Sequence, residues 1–387
     1  MKITDIKVDV LRAPEFQVRA DASLESVIVR VYTDEGIMGF GDAGSSPRVV
    51  RSIIDAPTYF TLCRSLRELL IGRDPFEISA IWEELYRMTM WAGRRGAYIH
   101  AISAIDVALW DIMGKALKQP VYKLLGGAFQ RDIRSYASQV MPDTPEEASR
   151  LVQNVVEAGW PAVKLGWFPC GADQDLDLAM VKACREGASP STKLMLDVGP
   201  RWDITTDGRP AVQLWDAKTA IKRIRSWEKY ELFWVEEPLP ADDLDGYRKL
   251  TEAVDTYIAA GEEEVTRFPL YELMDRGNID VVQFDVSRVG GLTEARRVAQ
   301  AAHDRNRPWA THCFSTGIVI VASLHLAAAS PTYFYVEYTI SESTLAQELI
   351  YPRLQPKNGL LRVPEGPGLG IELNEELVEK LRIASPM

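Results

Sequence analysis

The spacing of hydrophobic and polar positions changes once along the chain. In residues 26–44, apolar β-branched residues alternate with polar ones on both sides of a Thr-Asp-Glu-Gly turn, which predicts a β-hairpin. In residues 100–120, apolar side chains recur every three or four positions and the run ends in Pro120, which predicts a long helix. The first part of the chain therefore indicates an α+β unit.

In the second part, short apolar runs alternate with helical stretches. One of these helices is well marked, because Thr144 and Glu147 form a capping box around Pro145, and Gly159 suits the end. Eight such strand–helix units predict a (β/α)₈ barrel, with strands near residues 135–140, 161–165, 194–198, 232–236, 257–261, 280–284, 308–312 and 333–337. A doubly wound open sheet is the alternative, but no glycine-rich phosphate loop follows the first strand.

Composition and charge narrow the class of protein. Of the 387 residues, 47% are hydrophobic and 26% are charged, which is ordinary for a soluble globular protein. We see no apolar run of about 18 residues and therefore expect no membrane span. A net charge of −11 disfavours nucleic acid and anionic membranes as partners. The four cysteines are scattered without metal-type pairing, which favours a reducing, cytoplasmic location.

Three acidic residues mark the ends of three consecutive predicted strands: Asp197, Glu236 and Glu262. In a barrel of this type the carboxyl ends of the strands face the active site, and neighbouring strands lie about 4.8 Å apart. Three converging carboxylates repel one another unless a divalent cation neutralises them. Oxygen ligands without cysteine or paired histidine favour Mg²⁺, with Mn²⁺ possible. The alternative is that these acids are solvated or pair with lysines.

A second group of polar residues stands at the other strand ends. His312 and Asp285 come from adjacent predicted strands, and a carboxylate that holds one imidazole nitrogen makes the other a better base. Lys164 ends the second predicted strand and Glu337 the eighth. The remaining histidines lie in helical stretches, where we expect hydrogen-bonded core residues: His100, His303 and His325.

Together these motifs resemble the enolase superfamily and, within it, the mandelate racemase and muconate lactonizing enzyme group. The motifs that carry the resemblance are IGRDPFEISAIWEELYR, AISAIDVALWDIMGKAL, QPVYKLLGG, LDVGPRW, VEEPL, AAGEE, VVQFDVSRVGGLTEA and VPEGPGLG. The resemblance implies the α/β class, with a modified TIM (β/α)₈ barrel over residues 126–354. It also implies an α+β capping domain over residues 1–125, to which residues 355–387 return.

The same resemblance implies the chemistry of the site. Mg²⁺ would be bound by Asp197, Glu236 and Glu262, while the dyad of His312 and Asp285 would remove the proton next to a substrate carboxylate. Glu337 would be a hydrogen-bonding acid. The remaining expectations are a small-molecule carboxylate substrate, a homo-oligomer, and substrate contacts from Arg19, Trp167 and Arg288.

Two departures from the pattern of the group bear on the reaction. The second lysine of a Lys-x-Lys motif is replaced by Gly166, and an asparagine expected two residues after Asp197 is replaced by Gly199. A substituting side chain could come from residues 201–217. Because a racemase needs an acid/base group on each face of its intermediate, Gly166 favours dehydration of a sugar acid by a lyase, with Lys164 in an electrostatic role.

Two alternatives stay open. One is a racemase, epimerase or cycloisomerase on the same scaffold. The other is a non-catalytic homologue that binds metal and acid, although such a protein would have no need of a base. The sequence does not name the sugar acid.

Overall fold

In the computed structural model of this chain, the described residues are 1–14, 25–167, 169, 171, 173–199, 203–204, 210–211, 215–341 and 343–383. An antiparallel three-stranded sheet and a set of helices form the N-terminal part. Its strands are β1 (Ile3–Arg12), β2 (Glu25–Thr33) and β3 (Met38–Asp42). Its helices are α1 (Pro47–Asp55), α2 (Leu66–Leu70), α3 (Ile78–Met88), α4 (Ala97–Leu117) and α5 (Val121–Leu124). The hairpin and the long helix predicted from the sequence are therefore confirmed.

Eight parallel strands form the central barrel, which closes because the last of them pairs with the first. The strands of this part of the chain are β4 (Asp132–Val140), β5 (Ala162–Gly166), β6 (Lys193–Asp197), β7 (Asp203–Ile204), β8 (Pro210–Ala211), β9 (Leu232–Glu236), β10 (Tyr257–Ala260), β11 (Val281–Phe284), β12 (Trp309–Thr311) and β13 (Tyr335–Thr339). Of these, β7 and β8 pair only with each other, outside the barrel. The predicted fold, a TIM-type barrel with a capping domain, is confirmed.

Helices follow the strands of the barrel. They are α6 (Pro145–Glu157), α7 (Gln174–Gly187), α8 (Ala217–Trp227), α9 (Leu244–Thr251), α10 (Arg267–Asp275), α11 (Val286–Val289), α12 (Gly291–Asp304), α13 (Gly317–Ala328) and α14 (Thr344–Gln347), with a 3₁₀ turn at Glu228–Tyr230. The capping interpretation of α6 holds, since the Thr144 side chain accepts the backbone N–H of Glu147. Gly159 follows the helix with a positive φ of 93°.

The side chains that point into the barrel form an apolar layer and, nearer the carboxyl ends of the strands, a polar layer. The apolar layer consists of buried residues: Tyr136, Ala162, Met195, Trp234, Ala259, Val281 and Ala310. The side chains two positions later on these strands point the same way, one layer closer to the carboxyl ends. Lys164, Asp197, Glu236 and Gln283 belong to that layer, so the polar residues sit above an apolar floor.

The capping part and the barrel are joined through one face of α4. Ser103 accepts the backbone N–H of Gly290 at 2.9 Å, and Asp106 accepts the backbone N–H of Thr293 at 2.9 Å. These residues are three positions apart and therefore lie on the same side of the helix. The capping part is thus held against the segment that follows β11.

The C-terminal segment contains β14 (Ile350–Tyr351), β15 (Leu360–Arg362), β16 (Glu372–Leu373) and α15 (Glu375–Leu381). Strand β15 pairs with β4 of the barrel, whereas Glu375 of α15 forms an ion pair with Arg30 of β2. The domain boundaries at 125 and 354 stay predictions. Among the described helices, none has the length and apolarity that crossing a bilayer requires.

Candidate active site

Three buried carboxylates meet at the carboxyl end of the barrel. Asp197 and Glu236 are the last residues of β6 and β9 and lie opposite each other in register. Glu262 follows β10 by two residues. One oxygen from each of the three lies within 4.8 Å of the others. The structure therefore brings together the three acids that the sequence predicts as metal ligands.

The electrostatics of this triad suit a cation. Burial and the repulsion between the carboxylates raise the pKa of Asp197 and of Glu236, although Lys164 opposes the rise. Glu262 Oε2 is buried and has no hydrogen-bond partner among the described residues. A donor set of three carboxylates is the kind that Mg²⁺ and Mn²⁺ prefer. The side chains present therefore fit a divalent metal ion.

Lys164 lies within the same cluster of charges. Its Nζ donates to Glu236 Oε1 at 2.6 Å and lies 3.4 Å from Asp197 Oδ2. Glu337 Oε1 is 3.0 Å from the same nitrogen. Although burial opposes charge, Glu236 and Glu337 raise the pKa of Lys164 well above its ordinary value. The sequence predicts Lys164 as the last residue of its strand, but β5 continues to Gly166. Lys164 therefore stands two residues before the end of the strand, and its long side chain reaches the carboxylates from there.

His312 and Asp285 form the pair that the sequence predicts. Nδ1 of His312 lies 2.8 Å from Asp285 Oδ2, and the other oxygen of Asp285 accepts both the backbone N–H and the hydroxyl of Ser287 at 2.6 Å. Despite burial, the bonds from His312 and Ser287 lower the pKa of Asp285. Nε2 of His312 lies 3.7 Å from Glu262 Oε1. The second ring nitrogen is therefore placed at the edge of the carboxylate triad.

Glu337 links the lysine to the histidine. Its Oε2 accepts the backbone N–H of Cys313 at 2.6 Å. Burial alone would raise the pKa of Glu337, but Lys164 and His312 lower it below its ordinary value. Burial also opposes charge on His312, yet Glu262, Glu337 and Asp285 raise the pKa of its imidazole well above the ordinary value. Basic and acidic side chains thus alternate around the site.

A cavity at the carboxyl end of the barrel is lined by both polar and apolar side chains. The charged and titratable ones are Lys164, Asp197, His312 and Glu337. The apolar ones are Val140, Trp167 and Phe314. Trp167 is 40% exposed although it borders a site of buried residues. Of the three residues predicted to contact the substrate, Trp167 is therefore placed at the cavity.

The structure does not show the other two predicted substrate contacts at the cavity. Arg19 lies outside the described residues. Arg288 belongs to α11 and is half-buried beneath the capping part, where a Cβ atom added to Gly44 would lie 3.0 Å from Arg288 Cγ. Of the stretch 201–217 that could supply a substituting side chain, residues 201–202, 205–209 and 212–214 also lie outside the described part of the chain.

Two residues near the dyad were not identified from the sequence. Asp42, the last residue of β3, is buried, accepts hydrogen bonds from the hydroxyls of Thr316 and Ser315, and is close enough to Asp285 for mutual repulsion. His100 was expected to be a hydrogen-bonded core residue, but neither of its ring nitrogens has a hydrogen-bond partner among the described residues. It lies one helical turn before Ser103, on the face of α4 that is directed at the barrel. That i, i+3 spacing is the signal that could have placed it there.

The other two helical histidines behave differently from each other. His325 is buried and bonded as expected, because Nδ1 accepts the backbone N–H of Tyr122 at 3.2 Å and Nε2 lies 3.0 Å from the carbonyl oxygen of Leu369. His303 is exposed at the end of α12 rather than in the core. The expectation of a core residue is therefore wrong for His303.

Comparison with known proteins gives matches over nearly the whole chain. Residues 8–126 match the mandelate racemase/muconate lactonizing enzyme N-terminal domain, and residues 147–377 match the enolase C-terminal domain-like family. The chain is 30% identical to an arabinonate dehydratase of Saccharolobus solfataricus, over 95% of this chain and 93% of that protein. It is 32% identical to a D-galactonate dehydratase of Pectobacterium atrosepticum, over 91% and 90%.

A solved structure extends the comparison to a different reaction. The 3,6-anhydro-D-galactonate cycloisomerase of Zobellia galactanivorans superposes with a TM-score of 0.86 at 29% identity, covering 99% of this chain and 100% of that one. Proteins similar to this chain therefore include sugar-acid dehydratases and a cycloisomerase that acts on a cyclic sugar acid.

Proposed function

The chain belongs to the mandelate racemase and muconate lactonizing enzyme group of the enolase superfamily, and from this premise we propose that it is a Mg²⁺-dependent sugar-acid dehydratase. Its substrate would be an aldonate or aldarate, and its product a 2-keto-3-deoxy acid. The observation that carries the proposal is the position of the dyad. The imidazole of His312, held by Asp285 at 2.8 Å, lies 3.7 Å from Glu262 of the carboxylate triad.

The dyad supplies the base. Asp285 fixes the orientation of the imidazole through Nδ1, which leaves Nε2 as the nitrogen that exchanges a proton with the substrate. In the proposed reaction Nε2 takes the proton from the carbon next to the carboxylate. The same nitrogen then gives the proton to the departing hydroxyl of the neighbouring carbon, which leaves as water. The resulting enol becomes the 2-keto acid, so no oxidant or reductant is needed.

The carboxylate triad holds the metal. Asp197, Glu236 and Glu262 would bind Mg²⁺, with Mn²⁺ possible, and the orphaned Oε2 of Glu262 supports this assignment. When bound there, the ion acts as a Lewis acid that stabilises negative charge developing on the substrate carboxylate, which is typically worth several kcal/mol.

Lys164 and Glu337 set the charge balance beneath the substrate. The ammonium of Lys164 contacts three carboxylates and is therefore poorly suited to accept a proton. We assign it a fixed positive charge that supports the anionic transition state. Glu337 holds Lys164 on one side and accepts the backbone N–H of Cys313, next to His312, on the other. Its role is to keep Lys164 and the backbone beside His312 in place.

The geometry at Gly166 favours dehydration over racemisation. A Cβ atom built on Gly166 would lie 2.4 Å from Cβ and 2.7 Å from the carbonyl oxygen of Asp197. A second lysine therefore has no room at this position unless Asp197 moves. His312 is then the acid/base group on one face of the substrate, and position 166 supplies none on the other face. Racemisation needs a group on each face and is therefore disfavoured.

Opening of a cyclic sugar acid is the second candidate. A single base also suffices when the leaving group is a ring oxygen instead of a hydroxyl, and the similar structure from Zobellia galactanivorans is a cycloisomerase. The two candidates differ in their products, because dehydration releases water and cycloisomerisation does not.

The experiment is a screen of linear aldonates, aldarates and cyclic sugar acids with the protein and Mg²⁺, assayed for 2-keto products. Turnover of a linear acid that stops with chelator and returns with Mg²⁺ would support the proposal. Turnover of cyclic acids alone would favour the cycloisomerase. Binding of acids without turnover would support the non-catalytic homologue.

A cytoplasmic location is also proposed. Cys63, Cys184 and Cys313 carry no disulfide, as expected for a protein that functions in a reducing compartment.

A further inference from the structure

Trp167 has an unusual backbone conformation at the end of β5. Its φ angle is +69°, in the left-handed region that bulky residues rarely adopt. The conformation is held by a hydrogen bond from its backbone N–H to the carbonyl oxygen of Asp197, at 3.0 Å. Strained residues of this kind cluster at functional sites, where the surroundings determine the geometry. Here the result is an indole ring at the catalytic cavity, 40% exposed.

The two glycines that depart from the family pattern both adjoin this tryptophan. Gly166 precedes Trp167, and a Cβ there would collide with Asp197 at 2.4 Å. Gly199 itself has a φ of +63°, and the atom nearest to a Cβ built on it is Cε2 of the Trp167 indole, at 3.7 Å. A side chain longer than one carbon at position 199 would therefore extend toward the indole. The two positions that lack the expected side chains therefore flank Trp167, since one precedes it in the chain and the other lies beside its indole.

We propose that Trp167 is a specificity-determining residue whose indole, together with Phe314, forms an apolar wall for the carbon chain of the substrate. The inference rests on the proposed function. The polar residues that line the cavity, among them Lys164 and Asp197, would engage the carboxylate end. The C–H face of the remaining carbons then lies against the indole, since aromatic surfaces bury apolar area and pockets commonly combine an apolar wall with a few polar groups.

The wall also explains why the tryptophan is not an ordinary core residue. The large buried side chains of this protein are almost fully covered, as in Trp82, Trp227, Trp234 and Trp309. Trp167 instead remains partly exposed and lies beside Asp197, a residue of the proposed metal site. A ligand that covers the exposed part of this ring would bury apolar area there.

The test compares Trp167→Ala and Trp167→Phe with the wild type on a sugar acid that the enzyme turns over. The matched control is Trp91→Ala, since Trp91 is 73% exposed and packs on Phe60 in the capping part. We expect Trp167→Ala to raise KM by about tenfold or more, Trp167→Phe to be intermediate, and kcat to change little. The unfolding midpoint of Trp167→Ala should not fall, because the Trp167 side chain is not buried in the core. The control should match the wild type.

A double-mutant cycle makes the link to position 199 testable. Gly199→Asn in the wild type should raise KM, because the added amide displaces the indole. In the Trp167→Ala background the same substitution should cost clearly less. Unchanged KM in Trp167→Ala, additive effects in the cycle, or loss of kcat together with a lower unfolding midpoint would each overturn the inference. Absence of turnover of any sugar acid by the wild type would instead reject the proposed function, and this inference with it.

Discussion

Asp42→Asn is expected to make the protein more stable, and the gain should grow as pH rises. The Asp42 carboxyl group is 1% exposed at the contact between the capping part and the loop after His312. Burial raises its pKa from an ordinary value of 3.8 to about 7, against the hydrogen bond from Thr316, and the carboxylate of Asp285 adds to the rise. An asparagine can accept the same hydrogen bond without carrying a charge.

The magnitude follows from the two pKa values. Because the folded state holds the proton more tightly than the unfolded chain, ionisation of Asp42 costs nothing below pH 3.8 and lowers the free energy of unfolding progressively up to pH 7. Above pH 7 the full cost is about 4 kcal/mol, at about 1.4 kcal/mol per pKa unit. Between pH 5 and pH 8 the cost grows by about 2.5 kcal/mol. For 387 residues this corresponds to about 3 °C in the unfolding midpoint.

The assay is thermal unfolding of the wild type and Asp42→Asn from pH 5 to pH 8, followed by circular dichroism or calorimetry. The difference between the two midpoints isolates Asp42, because the titration of all other groups is common to both proteins. Asp304→Asn serves as the control, since Asp304 is an exposed carboxylate at the end of α12 that accepts a hydrogen bond from Gln300. Its midpoint should follow the wild type throughout.

A constant difference between Asp42→Asn and the wild type across this range would refute the reasoning, because it would mean that Asp42 does not titrate there. A lower midpoint for the variant at pH 8 would show that the ionised carboxylate stabilises the contact with Thr316.

The remaining predictions concern the site. Glu236→Gln should weaken Mg²⁺ binding, measured by calorimetry, by more than the 10–100-fold that outer-shell partners typically contribute, and retained affinity would exclude Glu236 as a ligand. His312→Asn should lower kcat by about 10²–10⁴-fold while Mg²⁺ affinity is kept, and near wild-type turnover would rule out His312 as the base. Asp285→Asn should fall between the wild type and His312→Asn in kcat, because the imidazole remains but is poorly oriented. Gly166→Lys should lower both the unfolding midpoint and the Mg²⁺ affinity through the collision with Asp197. For the wild type in D₂O, accumulation of a deuterated epimer would contradict the one-base mechanism.

The barrel and the polar groups at its mouth could be predicted from the sequence because both depend on local patterns. Apolar runs that alternate with helical stretches define parallel strands, and parallel strands place their carboxyl ends on one side. Once the strands are identified, Asp197, Glu236 and Glu262 are predicted to lie close together at that side. The same holds for His312 and Asp285, which follow adjacent strands by one residue each.

Contacts that depend on how distant segments dock were decided only by the tertiary structure. Asp42 bonds to Thr316 because the capping part packs on the loop after β12. No local sequence pattern predicts that contact. His100 lies on the same helix face as Ser103 and Asp106, which bond to the barrel, whereas its own ring nitrogens have no hydrogen-bond partner within the described part of the chain. Gly166 and Gly199 are 33 positions apart in the sequence and appear as two unrelated departures. Only the tertiary structure shows that both adjoin Trp167, because a hydrogen bond to the neighbouring strand holds that residue in its left-handed conformation between them.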